Sequence, residues 1–269
     1  MRQIGVGFGA GGGNLTHDER AKLMHETGFT ATFTGPFGTD AEQVAFAEIF
    51  AKNGITYENL HAPFSGLNKI WKEDGEEMLQ QLLTCVDRCA VAAVPMMVVH
   101  LTEANAHPPE LSDLGMARFE RLVEYAAKKN VTVAFENIRK LSYLAWAFEH
   151  FREADNVGFC LDIGHQHCFT PGYEFLPFFG KQLVCTHIHD NMGTERGFES
   201  SWKDDLHLLP FEGTVDFHRF AQQIRDCGYN GSLMLEIGCN PMAPVTLPVE
   251  EYLAKAAESA RRLRKLIDG

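Results

Sequence analysis

Apolar and polar positions along the chain switch between two periods. Short runs rich in β-branched and aromatic residues recur at 3–8, 29–34, 56–61, 96–101, 131–137, 157–162, 183–189 and 232–237. Several are almost continuously apolar, such as MMVVHL at 96–101, the pattern of strands covered on both faces. Stretches of helical period lie between them, most clearly 75–93, 112–129, 216–227 and 248–267. The helix ends are marked. Thr16 with Glu19, and Thr39 with Glu42, have capping-box spacing. Gly28 and Gly54 stand where helices should stop, and Asn130 terminates the stretch over 112–129. Basic residues fill the last turns of 248–267, where they complement the helix dipole.

Eight strand–helix repeats predict an alternating α/β fold, closed as a single (β/α)8 TIM barrel over residues 1–269. That barrel takes roughly 250 residues, so the length leaves no remainder. A doubly wound open sheet is the topological alternative. No Pro/Ser-rich linker, low-complexity tract or charge block divides the chain. The longest irregular stretch, 190–215, reads as an active-site loop after strand seven.

Composition narrows the setting. The formal net charge of −12 argues against a nucleic-acid partner, because that affinity rests on Lys and Arg contacts to phosphates. Seven cysteines, an odd number without a Cys-x-x-Cys pair, predict free thiols in a reducing compartment. Cys85 and Cys89 then mark a packed helix face. The N-terminal residues lack a signal-peptide core, and no apolar run approaches the ~18 residues of a membrane span. A cytoplasmic protein without membrane contact is expected, with a homodimer as the common closed assembly.

The strand ends carry the candidate chemistry. Six of the eight predicted strands deliver a metal-ligand type to what would be one end of a barrel: His61, His100, Glu136, Asp162, His187 and Glu236. His165 follows Asp162 by three residues, and Asp205 and His207 lie in the loop after strand seven. Singly, each has a structural explanation. Together they do not, because a carboxylate inside an apolar strand costs several kcal/mol unless it is paired or holds a metal. No Lys or Arg alternates with Glu136 or Glu236 in its strand. His187 and His189 are two apart and face the same side; one ligand suffices, and His187 is the deeper choice. Gly7, Gly9 and Gly12 form a Gly-x-Gly-x-x-Gly, but a dinucleotide site needs a helix opening at the third glycine, and the helix is expected near Thr16. The glycines are better read as a flexible loop over the pocket.

In this order the motifs LHAPF, VVHL, AFEN, LDIGH, THIHDN, DLHLLPFEG and LMLEI resemble the xylose isomerase-like barrel superfamily along most of the chain. That group includes sugar-phosphate isomerases and epimerases, ketose 3-epimerases, inosose-processing enzymes and endonuclease IV. The resemblance implies one divalent metal on Glu136, Asp162, His187 and Glu236. It also implies a sugar or sugar-phosphate isomerase or epimerase that abstracts a proton beside a carbonyl through an enediolate, with Glu136 and Glu236 as the acid–base pair. Manganese, cobalt or magnesium suits this oxygen-rich set, and added imidazoles favour zinc. His61, His100, His165, Asp205 and His207 match the further ligands of endonuclease IV, so a second metal, or substrate binding by these residues, is implied. Arg196 and Trp71 are the other substrate-binding candidates, Trp71 within an apolar wall with Phe8 and Phe64. The alternatives are a zinc phosphodiesterase of the endonuclease IV kind, a metal-dependent dehydratase of a cyclitol or keto-acid, and a non-catalytic sugar-binding protein. Specificity is expected in loops 9–15, 62–75, 101–115 and 190–215.

Overall fold

A computed structural model describes residues 1–36, 38–104, 107–196 and 199–269; parts of the loops 101–115 and 190–215 thus lie outside the described residues. The strands are β1 (Ile4–Gly7), β2 (Ala31–Thr34), β3 (Thr56–His61), β4 (Met96–His100), β5 (Thr132–Glu136), β6 (Val157–Asp162), β7 (Leu183–His187) and β8 (Leu233–Leu235). All named pairings are parallel, in the order β7-β6-β5-β4-β3-β2-β1-β8. The ring closes through Ile188: its amide donates to the Met234 carbonyl (2.8 Å), and its carbonyl accepts from Glu236 N (3.0 Å). The closed barrel, rather than the open sheet, is the architecture.

The helices between strands are α1 (His17–Thr27), α2 (Asp40–Lys52), α3 (Glu76–Val91), α4 (Asp113–Lys128), α5 (Leu141–His150), α6 (Ile163–Phe169), α7 (Leu176–Phe179), α8 (Phe217–Asp226) and α9 (Val249–Asp268). Both expected capping boxes form, which satisfies N-terminal amides of α1 and α2. Gly28 ends α1 at φ 107°, where a side chain would be strained. Cys85 and Cys89 lie on the buried face of α3.

Two cores follow from the layering. A large apolar layer packs the outside of the sheet against the helices, with Phe50, Phe119, Phe135, Phe159 and Phe220 almost wholly buried. Inside the barrel sit smaller groups: Met96, Val98, Ala134, Cys160 and Cys185 on one side, and Ala31, Phe33 and Met234 on the other. These fill the lumen as a floor. Alternation then puts the next inward residues of β4 to β7, His100, Glu136, Asp162 and His187, above that floor at the C-terminal end. The register aligns them, with His100 opposite Glu136 and Asp162 opposite His187. Strands β7 and β8 stop short of their predicted ends, so His189 and Glu236 stand just beyond them.

The glycine-rich segment after β1 is tied down rather than poised over the pocket. Gly11, Gly12 and Gly13 have positive φ, and the Arg20 guanidinium donates to the carbonyls of Ala10 (2.9 Å) and Gly12. A Cβ on Gly11 would stand 2.7 Å from the Tyr252 ring of α9. No helix opens at Gly12, which removes the geometry of a dinucleotide site. Among the described residues no helix is long and apolar enough to cross a membrane.

Candidate metal centre

Glu136 is the hub. It ends β5 with 1% exposure, deep among imidazoles. Its Oε2 lies 3.3 Å from His61 Nε2, His100 Nε2 and His187 Nδ1, and its Oε1 lies 3.3 Å from His165 Nδ1. The same His187 Nδ1 lies 3.5 Å from Glu236 Oε2. Ligand atoms of Glu136, Asp162, His187 and Glu236 all fall within 4.8 Å of one another. So do those of His61, His100 and Glu136, and those of His165, His189, Asp205 and His207. Every strand-end residue singled out from the sequence is therefore in one mouth, in overlapping donor groups of which three share Glu136.

Backbone contacts aim the imidazoles. A carbonyl can only accept, so the ring nitrogen facing it carries the proton. His61 Nδ1 donates to Ala62 O (2.9 Å), His165 Nδ1 to Asn137 O (3.0 Å) and His207 Nδ1 to Glu236 O (2.7 Å). Each Nε2 then points inward at a carboxylate, that of His61 at Glu136 and those of His165 and His207 at Asp205, the arrangement by which outer contacts orient metal-binding histidines. Asp162 caps α6, accepting from His165 N at 2.6 Å through Oδ1. Phe33 stacks on His187 with ring centres 4.7 Å apart.

Asp190 builds the loop that delivers Asp205 and His207. Its fully buried carboxylate accepts four backbone amides, from Asn191, Phe211, Gly213 and Val215, at 2.8–3.0 Å. Its own main chain pairs with Leu208 in both directions. His207, held at φ 50°, is thereby turned over the barrel mouth.

The electrostatics are those of a site with uncompensated donors. Burial pushes the Glu136 carboxyl up, but His187 and His100 pull it well below the usual carboxylate range. Burial likewise raises Asp205, and His207, His189 and His165 more than offset it. Burial lowers His187, yet Glu236 and Glu136 drive its pKa up to about 10. Burial dominates at His100, whose pKa falls. Both oxygens of Glu136, Asp162 Oδ2, both ring nitrogens of His100 and His187, and His189 Nε2 are buried without a hydrogen-bond partner among the described residues. Unpaired polar atoms this deep cost free energy unless a further group satisfies them. Acidic oxygens and imidazole nitrogens converging in this way fit a divalent cation.

The mouth opens into a cavity of about 490 Å³. His61, His100, His165, Asp205, His207 and Glu236 face it, and Phe64, Trp202 and Glu103 form part of its rim; among the described residues no Lys or Arg lines it. Glu136 lies beneath, outside the lining. Trp71 is elsewhere: its indole is buried, donates to Leu101 O at 2.7 Å, and packs on Phe119 and Tyr143. Phe8 packs in the core on Phe46 and Phe50. Arg196 is exposed and paired with Asp204. Of the suggested apolar wall, Phe64 alone reaches the cavity. The site also contains groups that sequence reasoning did not select: Asn137, Asp190 and Trp202, and His189, which alternation had set on the same side as His187.

A closed parallel barrel with a polydentate cluster of carboxylates and imidazoles at its C-terminal mouth defines the class of protein. The chain belongs to the xylose isomerase-like TIM barrel family, whose model matches residues 21–266. It is 27% identical to the protein y4fM of Sinorhizobium fredii over 91% of this chain and 88% of that one. Among solved structures it superposes on D-psicose 3-epimerase with D-tagatose from Clostridium cellulolyticum H10 (TM-score 0.75, 13% identity, 99% and 100% covered). It also superposes on the IOLI protein with a bound zinc atom (TM-score 0.74, 17% identity, 99% and 98% covered). At these identities the structural matches speak to the fold.

Proposed function

We propose that the protein is a metal-dependent isomerase or epimerase acting on a small, uncharged sugar or sugar-like ketone. The carrying observation is the convergence of Glu136, Asp162, His187 and Glu236, with unpaired buried donor atoms, at the floor of a cavity of monosaccharide size with no Lys or Arg among the described residues of its lining. The epimerase and zinc-containing neighbours support the same reading. When bound, a divalent cation supplies Lewis-acid polarisation of a carbonyl and its neighbouring hydroxyl. Glu236 faces the cavity and takes the proton from the carbon beside that carbonyl. Glu136 approaches the same His187 nitrogen from beneath the cavity lining, and its part as the partner acid rests on the family resemblance. His61, His100, His165 and His207 bind hydroxyls, while Phe64 and Trp202 offer ring faces to the apolar side of the sugar. Loss of a β-hydroxyl after the same proton abstraction is the dehydratase variant.

The test is solvent exchange. With manganese or cobalt in heavy water, wild type should incorporate deuterium into at least one member of a ketose and inosose panel. Glu236→Gln should slow that by about 10²–10⁴-fold. Absence of exchange by wild type across the panel defeats the proposal.

Phosphoester hydrolysis is the second reading, favoured by one observation: further donor groups, His61 with His100 and His165 with Asp205 and His207, adjoin the one that holds Glu136 and Glu236. Extra cations there would supply the positive charge that the cavity lacks. Robust metal-dependent cleavage of bis(p-nitrophenyl) phosphate or abasic DNA, without ketose exchange, would put this reading first.

A further inference from the structure

We propose that Asn59 is a positioning residue for His187: its side-chain oxygen accepts the Nε2–H of that imidazole, which leaves Nδ1 to face the cation. The inference rests on the reading of the barrel mouth as cation-binding and adds to it the outer contact of one ligand.

A bulge in β3 puts Asn59 inside the barrel. Tyr57 points outward, with its ring against Phe50 and its hydroxyl bonded to Gln43. In a regular strand Asn59 would point the same way. The register against β2 shifts between Tyr57 and Asn59, with Glu58 as the extra residue. Leu60 then packs in the outer layer, and Asn59 and His61 face the lumen. Asn59 thus lies one layer beneath His61, level with the floor. It is fully buried, and among the described residues neither its amide oxygen nor its amide nitrogen has a hydrogen-bond partner. An amide so placed costs free energy that a valine or leucine would avoid.

His187 is the group that needs it. Its ring crosses the lumen from β7 and lies nearly parallel to Phe33 and His61, with centres 4.7 and 5.6 Å away. It therefore ends beside β2 and β3. Nδ1 takes the side of Glu136 and Glu236. Nε2 stands across the ring, buried and without a partner among the described residues. Other histidines of the mouth show what is missing. His61, His165 and His207 each donate through Nδ1 to a backbone carbonyl. His187 presents Nδ1 to the carboxylates instead, so its tautomer has to be set at Nε2. A neutral imidazole with one nitrogen on a cation carries its proton on the other, and that proton is ordinarily given to an oxygen acceptor.

The floor supplies few acceptors. Its other described side chains are methionine, valine, alanine, phenylalanine and cysteine, none with an oxygen. Glu58 is the second unpaired acceptor of β3, but it lines the opposite, N-terminal mouth with Ser232. Asn59 Oδ1 is the acceptor on the His187 side of the lumen.

The experiment uses full-length protein labelled with nitrogen-15 at histidine and loaded with zinc, which is diamagnetic. Wild type should show a slowly exchanging Nε2–H for His187, assigned by its loss in His187→Asn. In Asn59→Leu that proton should move upfield and exchange faster, and calorimetric titration should show manganese affinity about 10–100-fold weaker. Asn59→Asp keeps the shape and offers a stronger acceptor, so the proton should move downfield and most of the affinity should return. A space-filling role predicts the reverse, with leucine tolerated and a buried aspartate damaging. Far-UV circular dichroism reports folding, and the aspartate spectrum decides the matter if the leucine variant does not fold. An unmoved His187 signal in the folded variants, a response confined to His100, or a wild type that binds no cation overturns the proposal. Ketose exchange is scored separately: the expected spectra without exchange leave this inference standing and remove the proposed function, and exchange with an unmoved signal does the opposite.

Discussion

Asn137 and Asp162 are joined by two reciprocal hydrogen bonds: the Asn137 side-chain Nδ2 donates to the Asp162 carbonyl, and its Oδ1 accepts from the Asp162 amide, each at 2.8 Å. The amide side chain extends the sheet ladder one step beyond the end of β5, and the Asn137 carbonyl also receives His165 Nδ1. One buried residue thus fixes both Asp162 and His165 at the mouth. Asn137→Ala would leave the Asp162 amide and carbonyl buried and unpaired, costing about 2–4 kcal/mol of stability. Metal affinity should fall by about 10–100-fold, as for lost outer contacts. Urea denaturation and calorimetric metal titration check both; a variant with wild-type affinity would show that β6 holds Asp162 without help.

Asp190 tests how the mouth loop is built. Asparagine in its place keeps one acceptor oxygen and turns an NH₂ toward amides that are themselves donors. Asp190→Asn should therefore destabilise the protein by roughly 2–3 kcal/mol. It should also raise hydrogen exchange of the 205–215 backbone while leaving β3 to β6 protected. Uniform protection across that loop would refute the role given to the carboxylate.

Much of this was legible beforehand, for identifiable reasons. Strand positions and the two capping boxes follow from local periodicity and spacing, which the barrel does not override. The metal-type residues were legible because Glu136 and Asp162 break otherwise apolar strands. Trp71 misled, since a tryptophan beside a strand-end loop has the same local pattern whether it lines a cavity or packs on Phe119. Arg196 found an ion-pair partner only eight residues away. Asn137 and Asp190 were hidden because their partners are main-chain atoms, and main-chain positions leave no mark in composition. His189 was read as redundant with His187 because alternation reports a side of the strand, not a distance along the mouth.

Removing the cation should expose a pH dependence of definite sign. In the metal-free protein His187 is raised from its ordinary 6.5 to about 10: burial alone would lower it, and Glu236 and Glu136 overcome that. Its contribution to stability is complete below pH 6.5 and is lost as pH rises toward 10. At the acid end Glu136 is depressed from 4.5, so stability falls as pH drops below that value. Chelator-treated protein should therefore melt highest between about pH 4.5 and 6.5. Metal displaces the imidazole proton, so the gap between metal-loaded and metal-free melting temperatures should widen from pH 6 to 8. A gap that narrows over that interval would mean that His187 is not a ligand.

The opposite end of the barrel offers a change that should stabilise. Glu58 of β3 lies by the N-terminal mouth near Ser232, and its Oε2 is buried without a partner. Burial raises its pKa, an effect that a hydrogen bond with Ser232 and the charge of His187 only partly relieve. A carboxyl with a raised folded-state pKa costs stability once pH exceeds its unfolded value of about 4.5, and the cost grows until the folded group ionises. Glu58→Gln keeps the volume and removes the charge. It should stabilise the protein by roughly 1 kcal/mol at pH 7.5, and the gain should vanish below pH 4.5, where glutamate is neutral in both states. Melting curves of the two proteins across that range decide it. An equal gain at both ends would trace the effect to packing rather than charge.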